Sequence, residues 1–332
     1  MQSTQWKRPV DSGSVPVYDE ALAYVDADSR LQRTRLEKLR GEGRAGNGGP
    51  SGDPSSEGGA DPALVDSLEI VSEMNLPAVR ASFLHGDYDL RRPVFRHLRE
   101  QAWRVGGPLE KLAERLTLTR VLPDVVPSAT PTVDVQVFFG EGAGIGDHGG
   151  EGGDVLAGVF VDVGKTLTPP TVRATAFHND TRKYTLMLVD PDVPDEENQS
   201  FSTYVHWLVT DIPLSTAASG VPAHAPTPLA YVPPHPQRGS PYHRYTTLLY
   251  EQRTTAPRTP VRDRIDVAAF AADNDLELAG LHFWRAQWTE ANSASVSHVY
   301  ETVLQTPEPR FGRVTRTDRL KDDLGVRHSK YF

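Results

Sequence analysis

The stretch Tyr184-Thr185-Leu186-Met187-Leu188-Val189-Asp190-Pro191-Asp192-Val193-Pro194 decides how the rest of the chain is read. Its first six residues are apolar or β-favouring and lack helical spacing, so they predict a strand over 184–189. The strand hands the chain to two aspartates flanking a proline. Two more β-type runs follow, 204–211 around His206-Trp207 and 245–250 behind His243-Arg244. If the three strands are neighbours, two carboxylates and two imidazoles converge at one concave site. Singly, each has a plainer reading: Asp-Pro-Asp makes a turn by bonding local backbone, and a lone strand histidine is a satisfied core residue.

Three chemistries are open to a converged cluster. Paired carboxylates serve acid–base glycoside hydrolysis. Asp and His ligate metals. Charged donors, with Tyr245 and backbone N–H groups, hold an anionic head group. No nucleophile elbow, HExxH or P-loop accompanies them.

Working outward, the flanking segments read as short strands over 133–139, 155–163 and 171–177, separated by turn signals such as Thr168-Pro169-Pro170 and Asn179-Asp180. Val133, Val135, Val137 and Phe139 alternate with polar positions. Such a series predicts an antiparallel β domain, not βαβ units. Residues 140–153 read as a Gly-rich acidic surface insertion and 212–242 as a long Pro-rich connection. A short helix near 265–270, a strand from Glu277 to Trp288 and a helix over 296–304 complete the domain, placed at 125–305.

Upstream, 1–40 is an extension with a polar helix over 18–40, and 41–60 is a Gly/Ser tract without apolar residues, expected to be a disordered linker. Residues 61–120 form a helical region. Asp61-Pro62 supplies an N-cap and a first-turn proline, and Pro77, Pro93 and Pro108 open three further helices. Between 91 and 120 basic residues exceed acidic ones. Arg91, Arg92, Arg96, Arg99 and Arg104 are either a solvated helix face or phosphate contacts. The tail, 306–332, is basic, with Arg313, Arg316 and Arg319 as further docking candidates.

Composition narrows the function classes. The chain has 332 residues, 38% hydrophobic, with a formal net charge of −9 and no cysteine. Thiol catalysis, disulfide scaffolds and Cys-ligated metals are excluded. The acidic total argues against phosphate affinity over the whole surface, not against a basic patch. No apolar run is long enough to span a bilayer. The N-terminal forty residues read neither as a secretory signal nor as a mitochondrial presequence, because Asp19, Glu20, Asp26 and Asp28 break the acid-poor rule.

The ordered set YTLMLVDPDVP, VHWLV, HRYTTLLYEQ, with VGKTLTPPTV before it and FWRAQW and Val299-Tyr300-Glu301 after it, resembles the phosphatidylethanolamine-binding protein (PEBP) family. The resemblance covers about 125–305. It implies a mainly β fold, a large antiparallel sheet packed on a smaller one with appended helices. It also implies an anion pocket at Asp190, Asp192, His206, His243 and Tyr245, closed by the C-terminal helix with Tyr300. The approach to the His-Arg-Tyr motif, PPHPQRGSPY, departs from the family's Gly-Pro-Pro form and implies a rebuilt pocket mouth.

The segments RPVDSGSVPVYDEALAYVDADS, RRPVFRHLREQAW and LTRVLPDVVPSATPTVDVQVFFG, with GSPYHRY, are similar to a ribosomal branch of that family found in the large subunit of fungal mitochondrial ribosomes. This implies a structural protein of the mitochondrial matrix, not an enzyme, with no cofactor or metal and a vestigial pocket. Its partners would be large-subunit ribosomal RNA and neighbouring ribosomal proteins, reached through the N-terminal extension and the tail. The alternative is a soluble PEBP that binds a phospholipid head group or another small anion, or inhibits a protease or kinase.

Overall fold

The computed structural model describes residues 6–45, 61–140 and 154–311. Its centre is a four-stranded antiparallel sheet in the order β4-β3-β5-β6, formed by β3 (Arg182–Asp195), β4 (Ser200–Leu214), β5 (His243–Gln252) and β6 (Leu276–Ala286). A two-stranded sheet, β1 (Asp134–Phe138) with β2 (Thr171–Thr175), packs on one face.

The unbroken apolar run Leu186-Met187-Leu188-Val189 has a direct cause. Successive strand residues point to opposite faces, and here both faces are covered. Leu186 and Leu188 pack with Val135, Val137 and Val172 of the small sheet. Met187 and Val189 pack with Leu116, Val121 and Val125 of the helical side and with Phe270. A strand buried on both sides has no reason to alternate. The small sheet approaches β6 closely, since Thr132 N and Val133 N both donate to Ala279 O, at 2.7 and 2.9 Å. A Cβ on Gly280 would meet Val135 Cγ2 at 2.6 Å, so the approach requires glycine there.

The N-terminal half is helical: α1 (Pro16–Ala45), α2 (Pro62–Glu73), α3 (Pro77–Leu84), α4 (Pro93–Arg104), α5 (Pro108–Leu118) and a single turn, α6 (Val121–Asp124). Proline stands in the first turn of α2, α3, α4 and α5, where its missing N–H costs nothing. Asp61 caps α2, its carboxylate accepting from Ala63 N at 3.0 Å. The helices are fastened to the β domain by Trp103 stacked on Phe177 with centroids 5.6 Å apart, by Arg99 paired with Asp134, and by Arg115 Nη1 donating to Ala157 O at 2.8 Å.

The C-terminal side has α7 (Val267–Asp273) and α8 (Ser293–His298), which continues as a π-helical turn, Val299–Leu304. Three expectations are corrected. Residues 155–163 are not a strand: they touch the sheets at isolated points, among them the bridge Phe160↔Arg285 and the bonds from Val155 N to Val137 O and Gly158 N to Phe283 O, both 2.8 Å, although Val155 and Val161 are buried. Burial of alternate valines here comes from an irregular crossing segment, which mimics a strand's period. Strand β3 also continues past Val189 through the Asp-Pro-Asp sequence, where a turn is expected. Helix α1 also takes in residues 41–45, expected as the start of the linker, while the insertion at 141–153, linker residues 46–60 and the tail from 312 onward lie outside the described residues.

Candidate functional site

Asp190 is the buried hub of a polar pocket at the ends of β3, β4 and β5. Its Oδ2 accepts from His243 Nδ1 at 2.7 Å, and its Oδ1 accepts from the Asp192 backbone N–H at 2.9 Å. His206 Nε2 stands 3.9 Å from Asp190 Oδ2, while its Nδ1 donates to Val232 O at 2.7 Å. Tyr245 lies between the two imidazoles, with centroids 5.2 Å from His206 and 6.3 Å from His243. Tyr300 and His235 close the other side, with centroids 5.3 Å apart.

The electrostatics favour an ion pair at the hub. Burial alone would raise the Asp190 pKa, but the His243 charge and the hydrogen bonds win, so it is lowered. Burial pulls His243 down and the Asp190 carboxylate pulls it up harder, so its pKa is raised. The hydrogen bonds agree with a protonated His243. Ser240 Oγ donates to Gln237 O at 2.8 Å, so it accepts from His243 Nε2, also at 2.8 Å. Both ring nitrogens then donate. His235 is held neutral by burial, its pKa pushed down to about 3.

The pocket is shut. Asp190, His206, His243, Tyr245, Tyr300, His235 and Gln237 are all buried. The Pro-rich connection, read from sequence as a loop, folds over them and buries Val232, His235 and Gln237. The C-terminal strand-like segment then crosses that cover. Phe311 N donates to Arg238 O at 2.7 Å, and Arg238 bridges in parallel with Arg310. Gly239 has φ +92°, and a Cβ there would lie 1.8 Å from Phe311 O, so only glycine lets this strap lie down. Inside, His206 Nε2, Tyr245 OH and Gln237 Oε1 have no hydrogen-bond partner among the described residues.

A family model described as phosphatidylethanolamine-binding protein matches residues 143–291. The large ribosomal subunit protein mL38 of Schizosaccharomyces pombe is 32% identical over 257 residues, covering 75% of this chain and 80% of that protein. The chain belongs to the phosphatidylethanolamine-binding protein family, in the branch of that mL38. The rice protein MOTHER of FT and TFL1 homolog 2 is 30% identical over 182 residues, 53% of this chain and 94% of its own length. A solved structure of carboxypeptidase Y inhibitor in complex with its cognate proteinase aligns with a TM-score of 0.46 at 19% identity, over 54% of this chain and 96% of that one.

Of the six side chains expected in the PEBP pocket, Asp190, His206, His243, Tyr245 and Tyr300 come together and Asp192 does not. The register of β3 shifts between Asp190 and Val193. This bulge turns Asp192 to the opposite face, where Arg244 takes it: Arg244 Nε to Asp192 Oδ2 at 2.8 Å and Nη2 to Oδ1 at 2.7 Å. Arg244 Nη1 reaches on to Asp124 Oδ2 and to the Thr119 and Arg120 carbonyls. His235, Gln237 and Ser240 were not anticipated. Their only signal was polar residues set among prolines in PPHPQRGS.

The arginines proposed for docking divide. Arg96 is buried between Asp66, at 2.6 Å, and Asn179. Arg99 pairs with Asp134, Arg92 with Glu73 at 2.6 Å, and Arg104 with Glu100 at 2.8 Å. Arg92, Arg96 and Arg99 hold α4 to α2 and to the β domain, whereas the Arg104–Glu100 pair lies within α4 and Arg104 reaches outward only to Pro131 O, at 3.3 Å. Arg91 is exposed, and among the described residues its guanidinium meets no acid. Arg313, Arg316 and Arg319 lie outside the described residues.

Proposed function

We propose that this chain is a structural, non-enzymatic constituent of the mitochondrial large ribosomal subunit, residing in the matrix and anchored by its N-terminal extension and C-terminal tail. One observation carries the reading. The match to mL38 is 257 residues long, too long to be contained in the β domain, whereas the rice relative matches 182. The shared identity therefore runs into the helical extension, which a soluble PEBP does not need. Large-subunit ribosomal RNA and neighbouring ribosomal proteins are the partners this reading implies, with Arg91 and the basic tail as RNA-facing elements.

The closed pocket supports a vestigial site, since fold and function separate readily. The unpartnered atoms inside it favour the second reading, a head-group binder, and make that reading testable. Titration of the protein with phosphoethanolamine in a calorimeter is expected to be silent. Saturable heat that Asp190→Ala or His206→Ala removes would favour the binder.

The main reading is tested by sedimenting a mitochondrial extract through sucrose at low and high salt. Migration with the large subunit at both salts is expected. A position at the top of both gradients would overturn it.

A further inference from the structure

Helix α1 has 30 residues and α2, the principal element packed on it, has 12. At about 1.5 Å per residue these are about 45 and about 18 Å long, so α2 covers less than half of α1. Ion pairs fix which half. Arg40 pairs with Glu69, and Arg33 lies 3.5 Å from Glu73, the last residue of α2. The two helices run antiparallel, and the N-terminal half of α1 extends beyond the end of its partner.

That projecting half carries two features at once. Val17 and Tyr24, with Leu31 at the junction with the covered half, are spaced by seven and so form one row along the helix. They are exposed by 75, 76 and 51%, the wrong side of water for residues of their size. The packed row is a different one, containing Leu22, Val25, Ser29 and Leu36. The charges are segregated as well. Residues 17–29 contain Asp19, Glu20, Asp26 and Asp28 and no base, whereas 30–40 contain Arg30, Arg33, Arg35, Lys38 and Arg40 against Glu37. Arg8 neutralises Asp19. Glu20 and Asp28 stand four residues either side of Tyr24 and so flank it on the same row.

We propose that the row Val17-Tyr24-Leu31, flanked by Glu20 and Asp28, is a docking face for a basic protein surface with an apolar groove, and not for RNA. Carboxylates bracketing the central aromatic repel a phosphate backbone and attract lysine and arginine. The apolar row supplies the anchor and the acids supply the choice of partner. The extension is thus divided by charge: its acidic first half meets protein, and its basic second half packs on α2. The inference rests on the ribosomal reading only in drawing the partner from that assembly.

The test places benzoylphenylalanine at position 24 of the full chain, expressed in mitochondria. Large subunits are isolated on sucrose and irradiated. A chain absent from the subunit fraction defeats the ribosomal reading, and with it the source of the partner. With the chain present, the expected adduct survives ribonuclease, is destroyed by protease, and contains a peptide of net positive charge from another protein. Glu20→Lys, at an exposed position, is expected to cut its yield several-fold and to leave the melting temperature unchanged, and adding Asp28→Lys, which also gives up the bond from Gln32 Nε2 at 3.1 Å, is expected to cut it at least tenfold. A ribonuclease-sensitive adduct, an adduct to a second copy of this chain, or no adduct in assembled subunits overturns the proposal.

Discussion

Asp192 is held by Arg244 on the face of the large sheet opposite to the one on which Asp190 meets His243. The pairing Asp190–His243 and Asp192–Arg244 follows from strand geometry, because His243 and Arg244 are consecutive in β5 and point to opposite sides. The second pair fastens the helical extension, since Arg244 also bonds Thr119, Arg120 and Asp124. Arg244→Met removes the guanidinium from Asp192, which keeps only the residue-244 backbone N–H, and from Asp124 and two carbonyls. The expected loss is about 3 kcal/mol of unfolding free energy in urea, with earlier proteolytic release of the N-terminal helices. An unchanged midpoint would mean that the extension is held by its apolar contacts alone.

The arginines of α4 separate structure from docking. Arg96 is buried between two partners, so Arg96→Ala is expected to cost roughly 1–3 kcal/mol through the lost buried guanidinium and its bonds, with Asn179 keeping Thr216 and Asp66 reaching water. Arg91→Ala is expected to leave the urea midpoint within about 0.5 kcal/mol of the parent and to lower retention on the large subunit at high salt. If Arg91→Ala leaves retention unchanged, this end of α4 has no part in anchoring.

Proline and periodicity made the helices legible, and β propensity made the three central strands so. Five helices, α1 to α5, start at a proline, because a proline inside a helix fits the first turn best. What the sequence hid were departures from regular geometry. The bulge after Asp190 leaves no residue signature, yet it decides that Asp192 faces Arg244 and not the pocket. The cover was hidden for a related reason. His235 and Gln237 lie in an irregular segment with no period to read, and only the fold shows it buried. The arginines could be counted but not paired, because Asp66, Asp134 and Asn179 reach them only through tertiary contact.

Stability against pH follows from the buried histidines. His243 has a folded pKa raised above the ordinary 6.5. Its contribution is complete below pH 6.5 and is lost as pH rises through the folded value. His235 and His282, the latter buried in β6 with Nε2 on Val155 O at 2.8 Å, are displaced the other way by burial, to about 3 and about 4. Unfolding below pH 6.5 takes up protons at both, so acidification towards pH 4 destabilises. Asp190, lowered from 3.8, adds a further loss only as pH falls below that value. Urea midpoints are expected to peak near pH 6.5. Asp190→Asn should abolish the alkaline limb and keep the acid limb from His235 and His282. An alkaline limb that survives Asp190→Asn would assign it to another group.

Gly239 tests the strap. Gly239→Ala places a Cβ against Phe311 O at a positive φ, so either the loop strains or residues 308–311 lift away. The expected outcome is lifting, because the strap is the less buried of the two and Glu308 is tied to Ser297 by a single bond of 2.8 Å. Hydrogen exchange at the Phe311 amide should accelerate at least tenfold while β3 and β5 keep their protection. Retained protection at Phe311 would show that the loop yields instead.

Tyr245→Phe asks whether the pocket is still used. The Tyr245 hydroxyl is fully buried and has no partner among the described residues, and burial with the nearby Asp190 charge holds it neutral by raising its pKa. An unpartnered hydroxyl forfeits its hydration and gains nothing in return. If the site is a relic of the PEBP fold, Tyr245→Phe removes that penalty and stabilises the protein by about 1 kcal/mol, visible as a higher urea midpoint with unchanged slope. If the pocket binds an anion in the cell, the hydroxyl is a donor awaiting its ligand. The same substitution then lowers the melting temperature of protein isolated with that ligand bound. The sign of one methodical substitution thus distinguishes an inherited cavity from a working one.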